Sequence, residues 1–286
     1  MAELPKKHQQ SLKIPKTILM TAKILETMST KLAVKFAIKL FTTPIKYKLP
    51  KREFEMDKNT VQEKFIIQSI DKEMVVYKYG TGSKKVLLVH GWSGRGTQLV
   101  KIAEEFVKLG YQTISFDAPA HGKASGKTSN MTEFIAGILE LEKEFGPFEF
   151  AIGHSLGGMS ILNSIKRGLK VKKAVIIGSG DIVEDIMDDF VEKLGMNIAI
   201  SKKMKANLEK RIDKTMDSFS AYIVAREIEI PVLVIHDKDD DDVPVKAAHH
   251  IAANLKNGEL FLTEGLGHRK ILGDTKVIKK IIEFLN

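Results

Sequence analysis

From residue 61 onward, short apolar runs alternate with stretches whose apolar residues recur every three or four positions. The short runs predict β-strands, and the periodic stretches predict amphipathic helices. The first two runs, residues 64–70 and 73–79, predict an antiparallel hairpin. Further strands are predicted at residues 85–89, 113–116, 148–152, 174–177, 232–235 and 260–262, with helices between them and a last helix through Val277, Ile281 and Leu285.

The later strands are continuous runs of Val, Ile and Leu rather than alternating patterns. Such runs are buried on both faces, so they predict an α/β fold with a mostly parallel sheet between helices. The alternation stops over about residues 181–228, where the sequence is helix-like and rich in Asp, Glu, Lys and Met. We therefore expect one domain over residues 61–286 with a helical insertion. Met187, Met196, Met204 and Met216 in the insertion either line an adaptable pocket or pack between helices.

Residues 1–60 have a different pattern and form an N-terminal basic extension. One helix is predicted at about residues 17–41, between Pro15 and Pro44, with an apolar stripe beside lysines at four-residue spacing. Residues 1–52 carry twelve lysine and arginine residues against two glutamates, so they account for the net charge of +9. The rest of the chain is near neutral, which argues against nucleic-acid binding by the whole protein.

The predicted helix carries too many charges to cross a bilayer comfortably. The sequence favours docking on the body of the protein or on a second subunit over binding a membrane surface. There is no cysteine, which excludes disulfides and thiol chemistry. The first residues lack a secretory signal pattern, so the expected location is cytoplasmic, or membrane-peripheral if the helix binds lipid.

The segment Gly153-His154-Ser155-Leu156-Gly157 follows a predicted strand and precedes a helical pattern. Small residues at both ends allow a sharp strand-to-helix turn that exposes the Ser155 hydroxyl above the carboxyl end of the sheet. Short Gly/Ser patterns also occur in ordinary turns, so a catalytic role for Ser155 depends on whether partner residues occur elsewhere in the chain. Asp240 and His268 each follow a later strand, and His90-Gly91-Trp92 follows an earlier one.

These motifs, in the order Ser, Asp, His, resemble the α/β-hydrolase family over about residues 61–286. The resemblance implies that Ser155 is the nucleophile, His268 the general base and Asp240 its partner. It also implies that the backbone N–H groups of Trp92 and Leu156 form an oxyanion hole, and that the insertion is a cap. Trp92 is either a wall of the acyl site or a core residue.

Within the acidic run of residues 237–242, Asp240 stands three positions before Val243-Pro244, as in the family motif Asp-x-x-Val-Pro. We interpret the other four acids as a solvated face of the loop: Asp237, Asp239, Asp241 and Asp242. Asp117 and His121 resemble a turn of the family whose Asp and His are structural. His249 and His250 have no matched acidic partner in the sequence, so no metal site is expected there, and no phosphate or dinucleotide motif implies a cofactor.

The activity that follows from the resemblance is hydrolysis of a carboxylic ester or thioester through an acyl-enzyme. Acyl transfer, peptide hydrolysis and carbon–carbon bond hydrolysis would use the same three residues. A binding protein without turnover is the remaining alternative.

Overall fold

The computed structural model describes residues 14–286, which are built around an eight-stranded sheet. The strands are β1 (Val61–Ile67), β2 (Lys72–Tyr79), β3 (Lys85–Val89), β4 (Gln112–Asp117), β5 (Phe150–His154), β6 (Lys173–Ile177), β7 (Val232–Asp237) and β8 (Gly258–Thr263). Their order in the sheet is β1-β2-β4-β3-β5-β6-β7-β8. The pairs β1–β2 and β2–β4 are antiparallel, and all the others are parallel. The predicted α/β fold with a mostly parallel sheet is confirmed.

Helices cover both faces of this sheet, with bounds α1 (Lys16–Met28), α2 (Thr30–Phe41), α3 (Phe54–Asn59), α4 (Val100–Lys108), α5 (Met131–Phe145), α6 (Leu156–Lys166), α7 (Val183–Lys193), α8 (Ile198–Ile212), α9 (Ala221–Ala225), α10 (Lys246–Asn254), α11 (Gly267–Lys270) and α12 (Thr275–Leu285). Short 3-10 helices span Lys51–Glu53, Asp217–Phe219 and Ile271–Gly273. Successive residues of one strand belong to different hydrophobic clusters: Ala151 lies on the α6 side and Ile152 on the α4 side. Both faces of the central strands are therefore buried, which explains their unbroken apolar sequences.

The hairpin is present, but its turn lies earlier than predicted. The turn comprises residues 68–71, and β2 already starts at Lys72. The Glu140 carboxylate on α5 accepts hydrogen bonds from the backbone N–H groups of Gln68 and Ser69, at 2.7 and 2.9 Å. These N–H groups are bonded to a side chain instead of a strand, so β1 ends at Ile67.

The N-terminal extension forms two helices where a single one is predicted. Ser29 separates α1 from α2 with an extended backbone, φ −164° and ψ 118°, and its hydroxyl caps α2 by accepting from the Leu32 N–H. A serine hydroxyl can replace a missing helical hydrogen bond at this position, so the break costs little. None of the helices within residues 14–286 has the length and apolar content needed to cross a bilayer.

The helices α1 and α2 pack on the insertion between β6 and β7, which contains α7, α8 and α9. The Ala33 and Ala37 side chains of α2 are fully buried, α2 contacts α8, and the rings of Phe41 and Phe190 meet edge to face at 5.1 Å. Met187, Met196 and Met204 lie in the same hydrophobic cluster, and Met216 packs against it. This burial supports the helix-packing interpretation of the four methionines.

After α2, the chain runs back to the body as a connecting segment, residues 42–50. Three of its contacts lie at the carboxyl ends of β3 and β4. The Ile45 N–H donates to the Ser93 hydroxyl at 2.9 Å, Lys46 Nζ donates to the Ala124 carbonyl at 2.7 Å, and the Arg95 guanidinium donates to the Tyr47 carbonyl. The connecting segment therefore lies against the loops that follow these strands.

Candidate active site

Ser155 occupies the turn between β5 and α6 with φ 52° and ψ −120°, a backbone conformation that is strained for a residue with a side chain. A Cβ on Gly153 would lie 2.6 Å from the Gly157 backbone, and a Cβ on Gly157 would overlap the Val89 carbonyl oxygen. Only glycine fits at these two positions. The Ser155 N–H donates to the Ile177 carbonyl at 2.8 Å, which fixes the turn to the end of β6.

His268 and Asp240 are in direct contact. His268 Nδ1 lies 2.7 Å from Asp240 Oδ2. The other oxygen, Oδ1, accepts the backbone N–H groups of Asp242 and Val243, both at 2.9 Å. With both oxygens engaged and the side chain buried, Asp240 holds the imidazole in one orientation and leaves Nε2 available.

The glycines around the turn show how closely the predicted residues approach one another. A Cβ on Gly178, the residue after Ile177, would lie 3.2 Å from His268 Nδ1, and a Cβ on Gly91 would lie 3.0 Å from Ser155 Cβ. The structure thus brings the Ser155 turn, the His268–Asp240 pair and the loop after β3 together at the carboxyl end of the sheet. Among residues 14–286, the Ser155 hydroxyl makes no hydrogen bond.

The His154 side chain holds the backbone of His268 in place. Its Nε2–H donates to the His268 carbonyl at 2.9 Å, and the two rings lie 4.5 Å apart. Burial holds the pKa of His154 well below its usual range, so the ring stays neutral and does not repel a protonated His268. His154 is a positioning residue that the sequence analysis did not identify, although it directly precedes Ser155 in the chain.

The loop after β3 is held by its own side chains. His90 Nδ1–H donates to the Gly91 carbonyl at 2.7 Å, and the Gly91 N–H donates to Gln98 Oε1 at 2.8 Å. The N–H groups of Trp92 and Leu156 have no hydrogen-bond partner in the described part of the chain. Both flank the Ser155 turn, so they are available to an oxygen bound there.

The Trp92 ring is partly exposed and packs edge to face on His121, with 5.0 Å between centroids. Burial lowers the pKa of His121 to about 4, so this ring is neutral. Asp117 is buried and accepts hydrogen bonds from the Tyr77 hydroxyl and from the N–H groups of Gly96 and Lys123. The structural roles expected of Asp117 and His121 are confirmed.

The interpretation of Asp237 as part of a solvated face is wrong. Its side chain is fully buried at the end of β7 and accepts hydrogen bonds from the Thr263 hydroxyl and from the N–H groups of Leu266, Gly267 and Asp239. Burial alone would raise the pKa of Asp237, but these hydrogen bonds outweigh it and lower the pKa. Because Gly267 precedes His268, Asp237 fixes the loop that carries the imidazole.

Asp239 also departs from that interpretation, because its carboxylate accepts the Gly265 N–H at 2.8 Å and ties down the start of the same loop. Of the remaining two acids, Asp242 is partly exposed and Asp241 is exposed. The acidic run thus supplies two residues that position the His268 loop and one that contacts the ring.

The expectation that His250 has no acidic partner is also wrong. His250 Nδ1 lies 2.5 Å from Asp181 Oδ2, and the Tyr222 ring stacks on the imidazole at 4.6 Å. Asp181 Oδ1 also accepts the Tyr222 N–H. This pair joins α10 to both ends of the insertion. No group of three or more metal-ligating side chains occurs within residues 14–286.

Comparisons with known proteins agree with this architecture. The sequence model of the alpha/beta hydrolase family matches residues 86–223. A non-heme haloperoxidase from Rhodococcus erythropolis is 22% identical over 253 residues, covering 71% of this chain and 92% of that protein. An esterase from Pyrococcus furiosus superposes with a TM-score of 0.63 at 16% identity, covering 85% and 97% of the two chains. A bromoperoxidase from Bacillus anthracis has a TM-score of 0.60 at 17% identity, covering 79% and 99%.

Proposed function

The chain belongs to the α/β-hydrolase superfamily, and from this we propose that it is a serine hydrolase that cleaves a carboxylic ester or thioester. The observation that carries the proposal is that a strained serine turn lies beside a histidine held by a buried aspartate, at one edge of the sheet. Esterases and lipases among the structural neighbours support an acyl substrate.

The proposed reaction begins with attack by Ser155 Oγ on the acyl carbon, while His268 Nε2 takes the hydroxyl proton. An unassisted aliphatic hydroxyl is a weak nucleophile, so this proton transfer is needed. The Asp240 carboxylate stabilises the imidazolium through Nδ1–H. The hydrogen bond between a catalytic serine and its histidine often tightens when substrate binds, so we expect Ser155 Oγ to approach His268 Nε2 in the substrate complex.

The negative charge that develops on the acyl oxygen would be stabilised by the N–H groups of Trp92 and Leu156. A preset donor of this kind contributes about 3–4 kcal/mol in the transition state. Collapse of the intermediate breaks the ester or thioester bond, and His268 returns its proton to the leaving alcohol or thiol. Water, deprotonated by His268, then attacks the acyl-enzyme and releases the acid with Ser155 regenerated.

A fluorophosphonate probe and a graded panel of short activated esters and thioesters test the proposal. We expect the probe to label Ser155, and we expect Ser155→Ala to lose labelling and at least about 10³-fold in kcat/KM. Ser83→Ala, which changes an exposed loop serine, is the matched control and retains both. Labelling without turnover of any ester would instead support a binding protein on the same fold.

A further inference from the structure

The helices α1 and α2 expose a row of apolar side chains. Met20, Ile24 and Met28 are 64%, 53% and 71% exposed, and Leu32 on α2 is 45% exposed. The four-residue spacing puts the first three on one side of α1. The opposite side of this helix pair is already buried against α8 and the core. The exposed row is therefore not a packing surface within the described chain.

Lysines lie beside the apolar row. By helical spacing, Lys16 and Lys23 fall next to Met20 on α1, and the exposed lysines Lys31, Lys35 and Lys39 fall on the Leu32 side of α2. The single acid of these two helices is Glu26. Its carboxylate accepts the Asn197 N–H at 2.6 Å and forms an ion pair with Lys23 at 3.9 Å, so five lysines and one glutamate leave the surface with a net charge of +4. We call these apolar residues and lysines the basic apolar face.

We propose that the basic apolar face binds the surface of a bilayer that contains anionic phospholipid. Apolar side chains flanked by lysines are the composition of helices that lie in the membrane interface. The long lysine stems reach past the apolar row, so the ammonium groups meet lipid phosphates while Met and Ile side chains enter the acyl boundary. This inference does not depend on the chemistry at Ser155.

The charges also decide between a membrane and a second copy of this chain. A symmetric dimer would bring the same patch of each subunit together, so the five lysines would meet five lysines. An anionic lipid surface has the opposite charge, and each lysine near it strengthens binding about fivefold. The basic apolar face therefore fits lipid better than it fits itself.

Sedimentation with vesicles tests the proposal on the full chain. We expect the protein to sediment with vesicles of phosphatidylcholine mixed with phosphatidylglycerol, and to bind phosphatidylcholine alone at least about tenfold more weakly. The combined variant Met20→Ser, Ile24→Ser and Met28→Ser loses binding to the mixed vesicles by about tenfold or more. The combined variant Lys31→Glu, Lys35→Glu and Lys39→Glu loses a similar factor.

Two matched controls make equal changes on other surfaces. Val61→Ser with Ile66→Ser and Leu109→Ser removes three exposed apolar side chains, and Lys58→Glu with Lys170→Glu and Lys276→Glu reverses three exposed lysines. Both should bind as the unmodified protein does. The proposal is overturned if the unmodified protein ignores the mixed vesicles, or if the face variants bind like the controls. It is also overturned if mass measurement without lipid gives a dimer that the apolar variant dissociates.

Discussion

At the scale of single residues, the acidic run of residues 237–242 shows which roles a family motif identifies and which it does not. The resemblance to the family motif Asp-x-x-Val-Pro singled out Asp240, and the structure brings that carboxylate to His268. The same reasoning failed for Asp237, because three of its four hydrogen-bond donors come from residues 263–267, more than two dozen positions away. A local pattern carries no information about such partners.

The role of Asp237 leads to a test of positioning. We expect Asp237→Asn to lower kcat/KM about 10- to 100-fold on any ester the protein turns over, by analogy with outer residues that orient ligands or bases. Labelling of Ser155 by the fluorophosphonate should slow in parallel, since the His268 loop loses its anchor. Asp71→Asn, which changes an exposed acid in the turn between β1 and β2, is the control and should leave both rates unchanged.

Asp237 also predicts a pH dependence of stability. Its pKa is lower in the folded chain than the value near 4 of an unfolded aspartate, so its stabilisation is present above about pH 4 and is lost as pH falls through the folded pKa. Urea unfolding of Asp237→Asn should therefore show a deficit of about 1–3 kcal/mol at neutral pH that shrinks below pH 4. A deficit that stays constant down to pH 3 would contradict this account.

At the scale of elements, the strands were predictable because strands buried on both faces have unbroken apolar sequences. The turn at Ser155 was predictable because glycine on both sides of a serine, between a strand and a helix, has a steric reason. The break at Ser29 was not, because the helical period continues through it and the capping hydroxyl only replaces one hydrogen bond. The early end of β1 depends on Glu140, which is distant in sequence.

The tight approach of α6 to β3 gives a prediction at this scale. Gly157→Ala would force a methyl group against the Val89 carbonyl, so we expect it to destabilise the fold by at least about 1–3 kcal/mol and to abolish labelling of Ser155. Thermal unfolding and probe labelling measure the two effects. Gly273→Ala, whose new methyl group would meet only Lys101 Cγ at 3.8 Å, should change neither.

At the scale of the whole molecule, the N-terminal helices share one hydrophobic cluster with the sheet and the insertion. Ala22, Ala33 and Ala37 belong to it together with β-strand residues such as Ile114 and Ile176. The sequence showed that the extension has an apolar side and favoured its docking on the body. It could not identify α8 as the partner, because periodicity describes a surface and not its neighbour.

A small side chain at the contact of α2 with the insertion is therefore important for stability. We expect Ala37→Leu to lower the free energy of unfolding by about 1–3 kcal/mol, since the site has no room for three more carbons. Lys35→Leu puts the same side chain on the exposed side of α2 and should have little effect. Equal urea midpoints for the two variants would show that α2 is not part of the cooperative fold.

The connecting segment joins the helices that we assign to lipid with the turn that carries Trp92, through the bond from the Ile45 N–H to Ser93. If docking shifts that turn, occupancy of the catalytic cleft and affinity for the bilayer become linked quantities. Thermodynamic reciprocity then requires a reversible inhibitor in the cleft to change vesicle affinity by the same factor as vesicles change the equilibrium binding of that inhibitor. Vesicle binding would then change activity through the connecting segment alone, which is only a few residues long.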